Sequence, residues 1–599
     1  MPKNTGAEHI KWDLSDLYSA PDDAKLHSDM ELVLEKSKQF SSEYKGKVAS
    51  LTADELRKAL GDYEEIHDLA QKIGSYAYLN WSTNTEDAVL GKLVQQTNEL
   101  GSEINQLLVF FDLEWLAMDE ESAEKLINAK ELAFYYHYLK VSRKYKPYML
   151  SEEQEQLLSA KSVTGSRAWI RFFDETLGAA RFKLDKKTYT EQEVLSRLHE
   201  SNRDVRRKAS ESLTAGFKEM RRTLTYIFNT LLADKAANDK LRKYPSWITS
   251  RNLSNEIQDE TVEYLVKAVQ SGYPVVQRYY KLKAKLLNID VLKDYDRYAP
   301  IHQNEATISW DEAKGMVIDA YSKFNPEMGS VANKFFTENW IDAAIRSGKR
   351  GGAYSASTAV SVHPYVFMNY DGRVRDVQTL AHELGHGVHQ YVSRDKGVLQ
   401  SGTPLTTAET ASVFGEMLVF QDLMERLETP EDKLAHLMGK IDDSIATVFR
   451  QVSMNRFEDA IHTARRTEGE LPAERFDELW MKTQRDLYGD SVDLTDNYAG
   501  WWCYIPHFLH TPGYVYAYAF GELLVLALYE KFRSQPDGFA EKYMDVLRAG
   551  GSKSPEELTS VMGVDINSQE FWQGGVKLIE KLVDQAAELS EQIVNKGNS

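Results

Sequence analysis

Asp376-Val-Gln-Thr-Leu-Ala-His-Glu-Leu-Gly-His-Gly-Val-His-Gln390 is the stretch around which the rest of this chain is read. With the two residues that follow, its apolar positions are Val377, Leu380, Ala381, Leu384, Val388, Tyr391 and Val392, a spacing of three and four that predicts an α-helix buried along one face. Asp376 is the expected N-cap. His382 and His386 stand one turn apart, off the apolar stripe, so both imidazoles project the same way, with Glu383 beside them. In this His-Glu-x-x-His pattern two histidines bind zinc and the glutamate acts as general base. Two surface histidines would give the same spacing by chance. The uninterrupted amphipathic helix around the pattern favours the metal.

A catalytic zinc takes three protein ligands and keeps a fourth position open, so a third ligand must come from elsewhere. Thr406-Thr-Ala-Glu-Thr-Ala-Ser412 opens a second helix, with Ala408, Ala411, Phe414, Met417 and Leu418 at helical spacing. Glu409 and Glu416, seven apart, share a face, and spacing alone lets either one reach the histidines. Glu409 has a competing reading, since Thr406-x-x-Glu409 is also a capping box. Glu416 would then support a ligating histidine from behind. Glu458 and His462 form another pair one turn apart, read as structural because nothing links them to the first site.

The composition bounds the remaining possibilities. The chain has 599 residues, 42% hydrophobic and 27% charged, which is ordinary for a large folded protein. A net charge of −19 argues against nucleic acid or an anionic membrane as the main partner. Basic clusters such as Arg206-Arg207-Lys208 and Arg221-Arg222 read as solvated helix faces. The single cysteine, Cys503, excludes an intramolecular disulfide and reads as a buried small hydrophobe. The first residues lack the apolar core of a signal peptide, and Glu522 interrupts the aliphatic stretch from Tyr514 to Tyr529, so a cytoplasmic protein without a membrane span is expected.

Residues 1–185 read as an N-terminal helical domain and 186–599 as the catalytic domain, with a soft boundary near Lys183–Tyr189, where helical period gives way to a short strand or hairpin. Tyr135, Tyr136 and Tyr138 are expected to pack between helices. Ahead of the motif helix, Tyr365–Tyr370 is rich in strand formers and ends at the turn signal Asp371-Gly372. A small sheet there offers an edge to which an extended peptide can bond through its main chain. Further on, Trp501–His507 leads through the Pro- and Gly-containing loop His510–Gly513 into a helix, with Tyr514 and Tyr518 one turn apart. Such phenol and imidazole groups suit donation to an oxyanion.

Taken together, Trp12–Tyr18, Lys349–Ser355, Pro364–Tyr370, Thr379–His386, Ala408–Ser412 and His507–Tyr518 resemble the oligoendopeptidase F branch of the thimet-oligopeptidase-like zinc metallopeptidases. The resemblance spans nearly the whole chain. It implies a mainly α, elongated zincin-type fold with a small β-sheet beside the active-site helix and a deep substrate channel between two halves. It implies one Zn2+ per chain on His382, His386 and Glu409, Glu383 as general base, and His507, Tyr514 and Tyr518 in contact with substrate or transition state. It also implies a zinc oligoendopeptidase that hydrolyses internal bonds of short peptides, with Glu383 deprotonating the attacking water. An exopeptidase and an inactive peptide-binding protein are the alternatives; the intact His382, Glu383 and His386 set disfavours the second.

Overall fold

Helical period dominates the structure as it does the sequence. The computed structural model describes residues 5–301 and 307–597, and the chain divides into two units of interleaved segments. The first comprises Met1–Lys146, Glu305–Leu423 and Leu528–Val564; the second comprises Pro147–Asn304, Met424–Ala527 and Asp565–Ser599. The boundary expected near residue 185 does not coincide with this division and falls inside the second unit. A short antiparallel hairpin, Phe182–Leu184 with Lys187–Tyr189, forms there.

In the first unit, helices Ala24–Tyr44, Ala53–Thr83 and Ala88–Ala117 pack on one another. Thr52 and Glu55 form a reciprocal capping box that starts the second of them. Phe40 lies at the centre, with ring contacts to Tyr63, Phe110 and Phe111. Of the three expected packing tyrosines, Tyr135 is buried and the Tyr138 hydroxyl donates to Asp112 at 3.1 Å, whereas Tyr136 is exposed.

Beside the motif helix this unit holds a three-stranded sheet. Its central strand, Tyr365–Phe367, pairs in parallel with Ile341–Asp342 and antiparallel with Tyr354–Ala356. Tyr354–Ala356 is therefore an edge strand. Trp12 packs against Tyr365 and Phe367 at 5.9 and 5.6 Å between ring centroids, covering one face. The Ser355 hydroxyl donates to Gln390 at 2.8 Å and ties the edge to the helix.

The second unit contains the 40-residue helix Arg203–Arg242, which by helical rise is about 60 Å long. Phe228, Phe476 and Trp502 pack in its core, Trp502 lying nearly parallel to Phe476 at 4.6 Å. Cys503 is buried there, and burial drives its thiol well above the usual range. The basic run at 206–208 corrects the expectation of a solvated face. Arg206 is 2% exposed and donates to the buried Asp296 at 2.9 Å, while Arg207 and Lys208 stay outside with Asp204. The stretch beginning at Tyr514 is a helix only from Tyr516, and Glu522 is buried where Lys440 and Ser444 donate to it at 3.1 and 2.9 Å. No helix among the described residues is long and apolar enough to cross a membrane.

Candidate metal centre and its surroundings

The motif helix runs from Val374 to Ser393, and Val377, Leu380, Ala381, Leu384 and Val388 are each fully buried. Complete burial of one such side chain contributes ~1.5–3 kcal/mol, so the stripe fixes the rotation of the helix. Asp376 is not the N-cap. It occupies the first turn and reaches back to accept from the amides of Asp371 and Arg373 at 2.9 and 3.0 Å. An acidic group there also suits the positive end of the helix dipole.

Gly385 explains how the second helix, Leu405–Arg426, comes so close. A Cβ at Gly385 would lie 2.4 Å from the Ala411 carbonyl oxygen and 2.6 Å from the Ser412 Cα. The two backbones meet there because one of them has no side chain. Tyr321 braces the crossing: its hydroxyl donates to the Ala381 carbonyl and sits where a Cβ at Gly415 would be, at 2.1 Å. Tyr543 donates to the Thr410 carbonyl at 2.9 Å from another side.

The crossing separates the two glutamates that spacing left equivalent. Glu409 Oε2 lies 3.4 Å from His382 Nε2 and 3.4 Å from His386 Nε2. Glu416 lies behind, accepting from His382 Nδ1. Thr406 is inside the helix and not before it, so the capping-box reading of Glu409 does not apply. The Glu409 carboxylate accepts from the Ser412 hydroxyl at 2.8 Å. One donor atom from each of His382, His386 and Glu409 falls within a set spanning at most 4.8 Å.

That set fits a zinc ion. Donors about 2.1 Å from a tetrahedral ion lie roughly 3.4 Å from one another. Two imidazoles and a carboxylate are the donor chemistry of a catalytic zinc. Glu383, 6% exposed, lies beside these three groups without being one of them. Burial raises its pKa against the opposing pull of His382 and His386. Burial disfavours charge on His382 too, yet Glu416 and then Glu409 hold it up to about 9; the carboxylate of Glu409, despite burial, is brought down to about 2 by His386 and His382. The site is thus built to collect positive charge. A cavity of about 280 Å³ opens beside His386, with Thr358, His389, Gln390, Arg394 and Thr403 among its walls.

His507, Tyr514 and Tyr518 belong to the second unit and come together within it. His507 Nε2 is 3.3 Å from the Tyr518 hydroxyl, its ring is parallel to Tyr514 at 5.9 Å, and the two tyrosine rings meet edge-on at 4.8 Å. Tyr514 lies in the turn before the helix that carries Tyr518, so the pair is brought together by a turn and not by helical stacking alone.

A family model described as Peptidase family M3 matches residues 196–578, more than half of the chain. The chain belongs to peptidase family M3. A second model, Oligopeptidase F, matches residues 114–182 of the same peptidase. The peptidase is 28% identical over 587 residues to Oligopeptidase PepF of Bacillus subtilis, covering 96% of this chain and 87% of that protein. It is 27% identical to an Oligoendopeptidase F homolog of Borreliella burgdorferi, covering 96% and 98%. Its fold is similar to that of oligoendopeptidase-F from Enterococcus faecium, with a TM-score of 0.73 at 23% identity over 95% of this chain and 99% of the other. PZ peptidase A in complex with an inhibitor gives 0.74 at 16%, covering 94% and 97%.

Ser412, Tyr321 and Gly385 were not singled out from the sequence. Ser412 had a signal, three residues after Glu409 on the same helix. Tyr321 lies about sixty positions away and had none.

Proposed function

We propose that this M3 peptidase is a zinc-dependent oligoendopeptidase that hydrolyses internal bonds of short peptides, with His382, His386 and Glu409 as ligands and Glu383 as general base. The observation that carries the reading is the mutual spacing of the three donors, 3.4 Å from Glu409 to each histidine. Zinc held there supplies a Lewis acid for the scissile carbonyl and lowers the pKa of water towards ~7. Glu383 takes the proton of the attacking water and delivers it to the departing nitrogen. Glu416, by accepting from Nδ1, fixes the His382 tautomer that leaves the Nε2 lone pair free. The edge strand Tyr354–Ala356 pairs with the extended substrate through main-chain hydrogen bonds. Tyr518 donates to the oxyanion, with His507 bonded to its hydroxyl and Tyr514 against both rings. The single cysteine suits a cytoplasmic setting.

The test pairs metal analysis with mapping of cuts in a mixed peptide library by mass spectrometry. Purified protein should hold close to one zinc per chain and cut peptides of about a dozen residues internally, while stable folded proteins resist. Full activity in metal-free protein, or release of terminal residues only, would overturn the proposal.

A further inference from the structure

Within the first unit, the cavity of about 280 Å³ beside His386 has room for far more than a single water. Part of its wall is the second half of the motif helix with the residue that caps it: His386, His389, Gln390 and Arg394. Another part is Ser357 and Thr358, the two residues that follow the edge strand Tyr354–Ala356. Gln390 links the two, accepting from the Ser355 hydroxyl at 2.8 Å. The cavity thus adjoins one of the three clustered donors and continues directly from the strand assigned to substrate pairing.

The chemistry of the wall is one-sided. Among the described residues it includes no Asp or Glu, its aliphatic side chains are only Val360, Val398 and Ala408, and Arg394 is its one permanent cation. Arg394 Nε donates to the Tyr391 carbonyl at 3.1 Å and Nη1 to the Val362 carbonyl, and the guanidinium lies 4.1 Å from the centre of the Tyr391 ring. These contacts hold the side chain without neutralising it. Nη2 keeps its donors, and among the described residues no carboxylate stands within ion-pair distance. Acids on neighbouring segments are engaged by other donors. Glu64 accepts from the Tyr135 hydroxyl and the Leu399 amide at 2.8 and 3.1 Å, and Asp68 accepts from the Ser361 amide at 3.3 Å. Asp395, next in sequence, is exposed.

We propose that this cavity receives the side chain of a substrate residue adjoining the cleaved bond, and that Arg394 makes it select a carboxylate there, Glu or Asp over neutral and basic residues. The proposal rests on the peptidase reading above and adds a substrate class to it. Side chains alternate along an extended peptide, so one that lies on the edge strand with its scissile carbonyl at the three donors turns a side chain next to the cut towards His386 and the cavity. A guanidinium already held in place gives charge-assisted bonds to a carboxylate, and no acid in the wall repels the newcomer. A Lys side chain would bring a second cation beside Arg394 with nothing to answer it. The net charge of −19 disfavours acidic peptides as a whole, so the preference belongs to one position and not to the peptide's total charge.

One host peptide with a mapped cut site is made with Glu, Gln, Leu or Lys at each residue flanking the cut, and with Glu at a distant position as a control. At one flank, kcat/KM for Glu should exceed that for Gln about ten- to a hundred-fold and that for Lys by more, while the distant Glu gains nothing. The same order should appear in dissociation constants of labelled peptides for Glu383→Gln, read by fluorescence anisotropy, where cleavage does not intervene. In Arg394→Gln the Glu-to-Gln ratio should fall to near one, and Arg394→Lys should keep part of it, with Tm and zinc content reporting on the fold. If Arg394→Gln loses its fold, Thr403→Asp decides: it adds a carboxylate to the wall, and the preference should shift from Glu towards Lys. Equal values for Glu and Gln at both flanks, an undiminished ratio in Arg394→Gln, or an unchanged order in Thr403→Asp overturns this proposal alone. Absence of hydrolysis of every peptide by the zinc-loaded parent removes the peptidase reading, and this one with it.

Discussion

Two helices of this protein each carry a pair of metal-capable side chains one turn apart, and among the described residues only the His382–His386 pair meets a third such group within reach of both. On the motif helix, His382 and His386 each face the Glu409 carboxylate, and His382 is held from behind by Glu416. On helix Arg450–Thr467, Glu458 and His462 have the same spacing in a dry setting. His462 lies flat on Trp247 at 4.4 Å, with neither ring nitrogen bonded, and burial drives its pKa well below the usual value. Glu458 accepts only from the Gly513 amide at 2.9 Å, and burial pushes its pKa up to about 8. The first pair is faced by carboxylates that welcome a cation; the second is desolvated, and the charges that reach His462 are the cations Lys235 and Arg466, which oppose further positive charge. Spacing on one helix is shared by both pairs. Convergence of carboxylates from a second helix belongs to one.

The largest effect should come from the residue between the two histidines. Glu383→Gln keeps size and hydrogen bonding but cannot take a proton, so peptide hydrolysis should fall ~10²–10⁴-fold with metal content unchanged. Near-parental rates in that variant would remove the distinction between the two helices.

Glu409→Ala and Glu416→Ala come next. A supporting residue such as Glu416 should cost ~10–100-fold in zinc affinity, and loss of Glu409 itself should cost more. Competition with a chelator of known affinity measures both, and the opposite order would exchange their roles.

Gly385→Ala probes the crossing without touching a donor. The added methyl meets the backbone at Ala411 and Ser412, so the helices must separate, at an expected loss of ~1–3 kcal/mol and of metal affinity together. Denaturant melts and metal titration on the same samples would check it; unchanged affinity would show that close approach is not what gathers the donors.

The effect furthest from catalysis concerns the buried Glu458–His462 pair. Glu458 ordinarily titrates at 4.5 and in the folded protein at about 8. Below the first value both states hold the proton. Between the two the unfolded chain sheds it and the native state does not, so stability falls as pH rises and levels off above about 8. Glu458→Gln should abolish this slope, and its Tm should gain on the parent from roughly pH 5 to pH 8. Parallel Tm profiles would mean that Glu458 is charged in the folded state.

The helical architecture, the motif helix with its buried stripe, the sheet ahead of it and the turn at Gly372 were all legible, because each depends on residues near in sequence. Helical period places His382 and His386 on one side as soon as Val377, Leu380 and Leu384 are buried. The same local logic could not choose between Glu409 and Glu416, which share a face. That choice was made where Gly385 lets Ala411 and Ser412 approach, a contact between residues more than twenty positions apart. Nor could it see that Arg206 is buried against Asp296. Sequence by itself determined which residues can face together along one helix, since backbone geometry repeats. Tertiary structure decided which of them meet carboxylates and which are buried without them, since Coulomb interactions and desolvation act across space between segments that the chain order keeps apart.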